Sequence, residues 1–232
     1  WWDYANGNKN TGIMPVNATY SKPGLYPMGL VSYSSLTNCY DTIEKMIVVA
    51  PHAIVKFALN NDSQCFRFNR FVVQNNSTVQ FGSMLYNWNF GDNTKDTSKS
   101  PIKSYNNSSS YTIKLMVETN YNCKDSTTLP VGFYATPKAV FLVNNLDQCF
   151  NKHSFDFTNT SAVSRGNFSS KWWFDDLSTG NSKDYIGKQF NLPENHFVEL
   201  SIITDKGCVD TSRNLIYLEN HHNSKIDFTE LD

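Results

Sequence analysis

Trp88-Asn89-Phe90-Gly91-Asp92-Asn93 is the stretch whose reading decides the fold. Two aromatic residues separated by one polar residue, running into Gly-Asp-Asn, describe a half-buried strand that ends in a tight turn. The pattern recurs as Trp2-Asp3-Tyr4-Ala5-Asn6-Gly7 and as Trp172-Trp173-Phe174-Asp175-Asp176-Leu177, at offsets of 86 (88 minus 2) and 84 (172 minus 88) residues. Tyr20, Tyr105 and Phe190 keep an 85-residue step downstream of the motif. Self-similarity at this period makes the 232-residue chain a tandem array of small units, not one large domain.

Outward from the motif, the segment from Tyr111 to Val117 alternates, with Tyr111, Ile113, Leu115 and Val117 on one face. Val198 to Ile202 is its counterpart in the next copy. Further strands are expected over Ala53 to Leu59, after Cys65 with Phe66, Phe68 and Phe71, and over Thr128 to Tyr134. The third copy repeats this order with Ala139 to Val143, with Phe155 and Phe157, and with Leu215 to Leu218. No stretch of a dozen residues carries a capped 3.6-residue period, so helix should be scarce. Seven or so short strands per unit, divided by turn residues, describe an antiparallel β-sandwich of immunoglobulin-like type. Prolines and composition put the boundaries at 1–50 for the second half of a truncated domain, 51–136 and 137–220 for two complete domains, and 221–232 for a linker. That linker includes Lys225 to Phe228, which looks like the first strand of a following repeat. Both ends are therefore expected to lie within a longer array.

Charged residues are 18% of the chain, its formal net charge is -1 and its pI is near 6.6. There is no basic run, so neither nucleic acid nor an anionic membrane is an expected partner. The apolar runs, such as Met46 to Ala50, are too short to span a bilayer.

The five cysteines fall on the repeat: Cys65 and Cys149 are 84 residues apart, and Cys39, Cys123 and Cys208 are 84 and 85 apart. One cysteine near the start and one near the end of each complete copy suit an intradomain disulfide and an oxidising compartment. The expected pairs are Cys65–Cys123 and Cys149–Cys208, with the partner of Cys39 upstream of Trp1. Closing such a loop is worth about 4 kcal/mol in the chain-entropy model. Trp88 and Trp172 lie between the paired cysteines, as an indole packed on an inter-sheet disulfide requires. The expected structural core is Trp2, Trp88, Phe90, Tyr105, Tyr111, Trp172 and Phe174.

These residues resemble the polycystic kidney disease (PKD) domain, with its approximate W-x-F-G-D-G motif followed by Y-x-x-P-G-x-Y and an alternating strand. Trp88 to Asn93 matches the first part, and Tyr20, Pro23, Gly24 and Tyr26 match the second. Gly207-Cys208-Val209-Asp210 resembles the cysteine-bearing PKD repeats of large surface proteins of Bacteroidetes, including gliding-motility adhesins exported by the type IX secretion system. The third unit departs from that pattern at Asp175-Asp176-Leu177 and has His196 where the family usually has Tyr. The resemblance implies tandem PKD β-sandwiches at the cell surface, without catalysis, serving reach, adhesion or display. The partners it implies are neighbouring repeats of the same chain and, beyond them, surface glycans or other cell-surface proteins. The alternative is an accessory substrate- or carbohydrate-binding module of a secreted hydrolase.

Catalysis requires a nucleophile or acid beside a base, and His52, His153, His196, His221 and His222 share no repeat position. No catalytic residue and no cofactor is expected. Calcium is the one metal that the oxygen-rich turns could take, with Asp92, Asp96, Asp175 and Asp176 as candidate ligands. Their spacing matches no calcium loop, and such residues cap turns on their own account. His221-His222 with Glu219 is a weaker candidate for a transition metal. Trp173, next to the motif Trp172, should point out of the sandwich because side chains alternate, and is the candidate glycan contact. Trp1 stands in the same relation to Trp2.

Overall fold

A computed structural model describes residues 1–14 and 16–219 of the chain. Among these residues every regular element is a strand. The first repeat contributes β1 (Trp2–Asp3), β2 (Lys9–Asn10), β3 (Gly24–Ser34) and β4 (Cys39–Val49). The second contributes β5 (Phe57–Leu59), β6 (Ser63–Cys65), β7 (Phe71–Asn75), β8 (Met84–Asn89), β9 (Lys95–Asp96), β10 (Ile102–Lys103), β11 (Tyr111–Thr119) and β12 (Lys124–Tyr134). The third repeats that order as β13 (Phe141–Val143), β14 (Asp147–Cys149), β15 (Phe155–Asn159), β16 (Phe168–Phe174), β17 (Thr179–Gly180), β18 (Tyr185–Lys188), β19 (His196–Thr204) and β20 (Val209–Glu219). The architecture is that of tandem antiparallel sandwiches.

By compactness the chain divides into two units, one of residues 1–62, 70–104 and 110–131, the other of 63–69, 105–109 and 132–232. In the first unit, β3 and β4 form a long hairpin within the sheet β2-β1-β3-β4. The same unit holds most of the second repeat, where β10-β7-β5 faces the strands β12-β11-β8-β9. Trp88 on β8 meets Phe57 on β5 edge-on at 5.0 Å and donates its indole N–H to the Ser98 carbonyl at 2.9 Å. Phe71 and Val73 on β7 are buried in the same repeat, as are Ile113, Leu115 and Val117, which the alternation of β11 places on one face.

In the second unit, β13-β15-β18 faces β14-β20-β19-β16-β17. Trp172 packs on Phe141 and Phe157 at 5.2 and 5.8 Å and donates to the Ser182 carbonyl at 3.1 Å, the arrangement of Trp88 one repeat on. Phe155, Phe174, Phe190, Val198, Leu200 and Ile216 complete the core.

Three expectations change. The expected Cys65–Cys123 and Cys149–Cys208 bridges are absent, Cys65 being bonded to Cys208 instead. Phe66, Phe68 and Phe71 do not share one strand, because the chain turns after Cys65 and Phe68 takes a left-handed φ of 63° with 89% of its surface exposed. Trp2 and Tyr111 are half-buried, unlike Trp88, Phe90, Tyr105, Trp172 and Phe174, which are buried. The Trp2 indole nitrogen finds no acceptor among the described residues. The expected strand from Lys225 to Phe228, with the rest of 221–232, lies outside the described residues.

In the turn after each tryptophan strand, Gly7, Asn93 and Leu177 occupy equivalent places with φ of 88°, 69° and 68°, whereas two residues earlier Ala5 and Gly91 are left-handed and Asp175 is not. Glycine and asparagine reach this region readily, whereas leucine is strained there. The departure seen at Leu177 therefore keeps the left-handed φ of that one position.

Candidate functional site

The cysteines carry the chain's most specific chemistry, and the strand register explains their pairing. β14 runs parallel to the end of β20, with Cys149 opposite Glu219 and the Phe150 amide donating to the Glu219 carbonyl at 2.8 Å. Cys208 immediately precedes Val209, the first residue of β20. Eleven residues of strand (219 minus 208) therefore separate the two cysteines, about 36 Å at the usual rise. A disulfide needs Cα atoms within about 7 Å, so the expected Cys149–Cys208 bond cannot form.

The second repeat has the same register along β12, with Cys65 opposite Tyr134 and Cys123 preceding Lys124, which also removes the expected Cys65–Cys123 bond. Cys65 is bonded to Cys208 instead, with Cα atoms 5.4 Å apart across 143 residues. The bond joins Cys65, beside the last residue of β12 in the second repeat, to the hairpin tip of the third.

Two residues beyond each cysteine, Arg67 in the turn after β6 pairs with Asp210 near the start of β20. The second carboxylate oxygen of Asp210 accepts the Ala139 amide at 2.9 Å, and the Arg67 amide donates to Thr136 Oγ1 at 3.2 Å. The aspartate of the Gly-Cys-x-Asp motif thus holds the entry of the third repeat against the hairpin tip that carries Cys208. A cleft of about 400 Å³ lies beside this junction, lined by Phe133, Tyr134, Arg165, Thr204, Asp205 and Lys206 among others.

The acidic turns serve the fold. Asp92 is paired with Lys103 Nζ at 2.5 Å and accepts from Thr94; Asp176 is paired with Lys188 Nζ at 2.5 Å and accepts from Ser178. Burial, the largest single influence, raises both carboxyls, but the hydrogen bonds and the lysine charge together outweigh it and hold each below its ordinary value. Asp96 is lowered by hydrogen bonds from Ser98. Asp175 accepts the Phe197 amide at 2.9 Å and contacts His196 Nδ1 at 3.1 Å. These carboxylates already have cationic or N–H partners, and among the described residues no three His, Cys, Asp or Glu side chains converge on a metal site. His221 and His222 lie outside the described residues.

The buried histidines are structural as well. His153 Nδ1 lies 2.7 Å from the Phe150 carbonyl, and its Nε2 accepts the Phe190 amide at 2.8 Å. Asn69 does the same one repeat earlier, donating to the Phe66 carbonyl at 2.8 Å and accepting the Tyr105 amide at 2.8 Å. His196 stacks on Phe190 at 4.0 Å, with Nε2 3.0 Å from the Leu192 carbonyl. His52 is exposed. The Asn69/His153 equivalence escaped the sequence reading, although an 84-residue comparison of polar positions would have aligned the two (153 minus 69).

Trp173 points out of the third sandwich, with 43% of its surface exposed beside Phe197, Glu199 and Arg213. Lys171 Nζ sits 3.9 Å from its ring centroid, so one face of the indole already holds a cation. Trp1 is exposed too. Among the described residues no helix is long and apolar enough to cross a membrane.

Residues 56–131 match the family model of the PKD domain. Among curated proteins no sequence matches the chain. Similar solved structures include the PKD1 domain of the Vibrio cholerae metalloprotease PrtV, at 24% identity and a TM-score of 0.31, covering 37% of this chain and 98% of that one. The PKD1 domain of Vibrio anguillarum Epp gives 23% identity and a TM-score of 0.32, covering 35% of this chain and 93% of that one. Three N-terminal domains of the bacteriophage RB49 highly immunogenic outer capsid protein give 11% identity and a TM-score of 0.44, covering 95% and 88%.

Proposed function

We propose that the chain is a non-catalytic structural and adhesive segment of a large secreted cell-surface protein, an adhesin or filament stalk built from tandem PKD sandwiches. In this reading residues 1–50 belong to one repeat, 51–136 and 137–220 are two complete repeats, and 221–232 leads into another. Its immediate partners are the neighbouring repeats of the same chain, and the outermost repeats meet glycans or proteins of other surfaces. The motif Gly207-Cys208-Val209-Asp210 makes a gliding-motility adhesin carried by type IX secretion the specific form of the proposal.

The observation that carries this reading is the Cys65–Cys208 bond with its Arg67–Asp210 pair. Disulfides persist in oxidising, extracytoplasmic compartments. A bond from one repeat to the next restrains the joint between sandwiches, which is what a stalk requires and a catalyst does not. Exposed Trp173 favours a second reading, an accessory carbohydrate-binding module, but a sugar stacking on the ring would compete with Lys171. The test is to raise antibodies to this segment and label intact cells of the source organism. Labelling that disappears on mild protease shaving, together with loss of surface attachment or gliding when the segment is deleted, is the expected result. Antigen found only after lysis would overturn it. Retention of the segment on insoluble polysaccharide, lost with Trp173→Ala, would move the reading to the binding module.

A further inference from the structure

Three cysteines are free in this chain: Cys39 and Cys149 are exposed, and Cys123 is partly buried. The frame of Cys123 matches that of Cys208, and the frame of Cys149 matches that of Cys65. At the hairpin tips, Thr119 and Cys123 exchange backbone contacts as Thr204 and Cys208 do. The threonine amide donates to the cysteine carbonyl at 2.9 Å in both, and the cysteine amide donates to the threonine Oγ1 at 3.3 and 3.0 Å. Cys39 opens β4 opposite Ser34 at the tip of the β3–β4 hairpin and likewise follows a left-handed residue, Asn38 at φ 54°, where Asn122 has 62° and Gly207 has 76°. At the strand ends, Cys65 lies opposite Tyr134 as Cys149 lies opposite Glu219, and the following amides, of Phe66 and Phe150, donate to those carbonyls at 3.3 and 2.8 Å. The chain thus holds two kinds of cysteine, strand-end (Cys65, Cys149) and tip (Cys39, Cys123, Cys208). The one bond observed joins a strand-end cysteine to the tip cysteine of the next repeat.

We propose that every joint of the array is closed by this same bond. Cys149 then pairs with the tip cysteine of the repeat after it, and Cys123 and Cys39 pair with the strand-end cysteines of the repeats before theirs. The inference rests on the tandem-array reading and adds the rule by which repeats are joined. Three observations carry it: the register that puts the two cysteines of one repeat at opposite ends of one strand, the backbone frames that Cys123 shares with Cys208 and Cys149 with Cys65, and a bonded pair of the equivalent residues. At each joint two thiols lose two protons and two electrons to form one S–S bond, while the disulfide of a thiol–disulfide oxidant is reduced to its dithiol. Because the loops overlap, with strand-end cysteines 84 residues apart (149 minus 65) and each loop 143 long, every complete repeat lies inside a crosslinked span.

The experiment uses the full-length protein from its native source, alkylated without reduction under denaturing conditions, digested and mapped by mass spectrometry. Expected are a Cys65–Cys208 crosslink and Cys149, Cys123 and Cys39 each joined to a cysteine peptide of an adjacent repeat, with none alkylated. An intact Cys65–Cys208 bond with Cys149 and Cys123 alkylated would overturn the joining rule and leave the secreted-array reading standing. Five alkylated cysteines would overturn both. The 232-residue chain produced alone in an oxidising compartment should take up three maleimide labels, one for each free cysteine. A single label, from a Cys123–Cys149 or similar pairing within the chain, would also contradict the rule.

Discussion

Tethered at its two ends and pulled, the oxidised chain should yield far less length than its residue count. Cys65 and Cys208 are separated by 143 residues, so force entering at one leaves through the other and the span between them is bypassed. That leaves 89 residues able to extend (232 minus 143), about 320 Å of contour at about 3.6 Å per residue. Reducing the bond, or replacing Cys208 by Ser, releases the hidden span and adds about 510 Å. The same bond lowers the entropy of the unfolded chain, which for a loop of this size is worth about 5 kcal/mol in the chain-entropy model. Single-molecule force spectroscopy of the oxidised chain, the reduced chain and Cys208→Ser measures the contour directly. The expected traces show short total extension before reduction and the full length afterwards. An oxidised chain that extends to the same length as Cys208→Ser would refute both the pairing and the bypass.

Neighbouring tryptophans should separate cleanly in urea denaturation. Trp172→Ala removes a fully buried ring and strands the Ser182 carbonyl, at about 3–5 kcal/mol, whereas Trp173→Ala should cost under about 1 kcal/mol; equal losses would contradict the inside/outside assignment. His153→Asn should stay within about 1 kcal/mol of the parent because Asn69 makes the same two bonds, while His153→Leu leaves the Phe190 amide and the Phe150 carbonyl without partners and should cost about 2–3 kcal/mol. For Asp92 and Asp176 the folded pKa lies below the unfolded one, so their stabilisation is present above the ordinary carboxylate range and is lost as pH falls through the folded value. The urea midpoint should therefore be flat above roughly pH 5 and fall below it, with a shallower acid limb in Asp92→Asn/Asp176→Asn; superimposable acid limbs would contradict the pairing with Lys103 and Lys188. Leu177→Asn should raise stability by roughly 0.5–1 kcal/mol, since asparagine tolerates the left-handed backbone that leucine resists; a clear loss of stability would show that the leucine makes a contact the turn needs.

The period-2 alternation of Tyr111 to Val117 and the recurrence of the tryptophan motif made the strand order and the tandem sandwiches legible, because both depend on spacing along the chain. The same spacing placed all five cysteines on the repeat and yet pointed to the wrong partners. Register along the sequence says which cysteines are equivalent; which are adjacent depends on where strands begin and end. The length of β12 and β20, and the parallel pairing of the short β6 and β14 at their far ends, decide that adjacency, and neither has a sequence signature. The first repeat misled for a different reason. Trp2 carries the motif, but among the described residues its sheet β2-β1-β3-β4 is the only one its repeat forms, so the ring is not enclosed as Trp88 and Trp172 are. The structural role of His153 was hidden because histidine and asparagine look unalike as letters, although both present a donor and an acceptor to the same two backbone groups.

The central claim is that consecutive repeats are joined by Cys65–Cys208. A non-reducing tryptic map of the 232-residue chain tests it most directly, because cleavage after Lys56, Arg67, Lys206 and Arg213 isolates the two cysteines on short peptides. The account predicts one crosslinked species containing Phe57 to Arg67 and Gly207 to Arg213, which separates into its two peptides on reduction. Crosslinks joining Cys65 to Cys123 and Cys149 to Cys208 would contradict it.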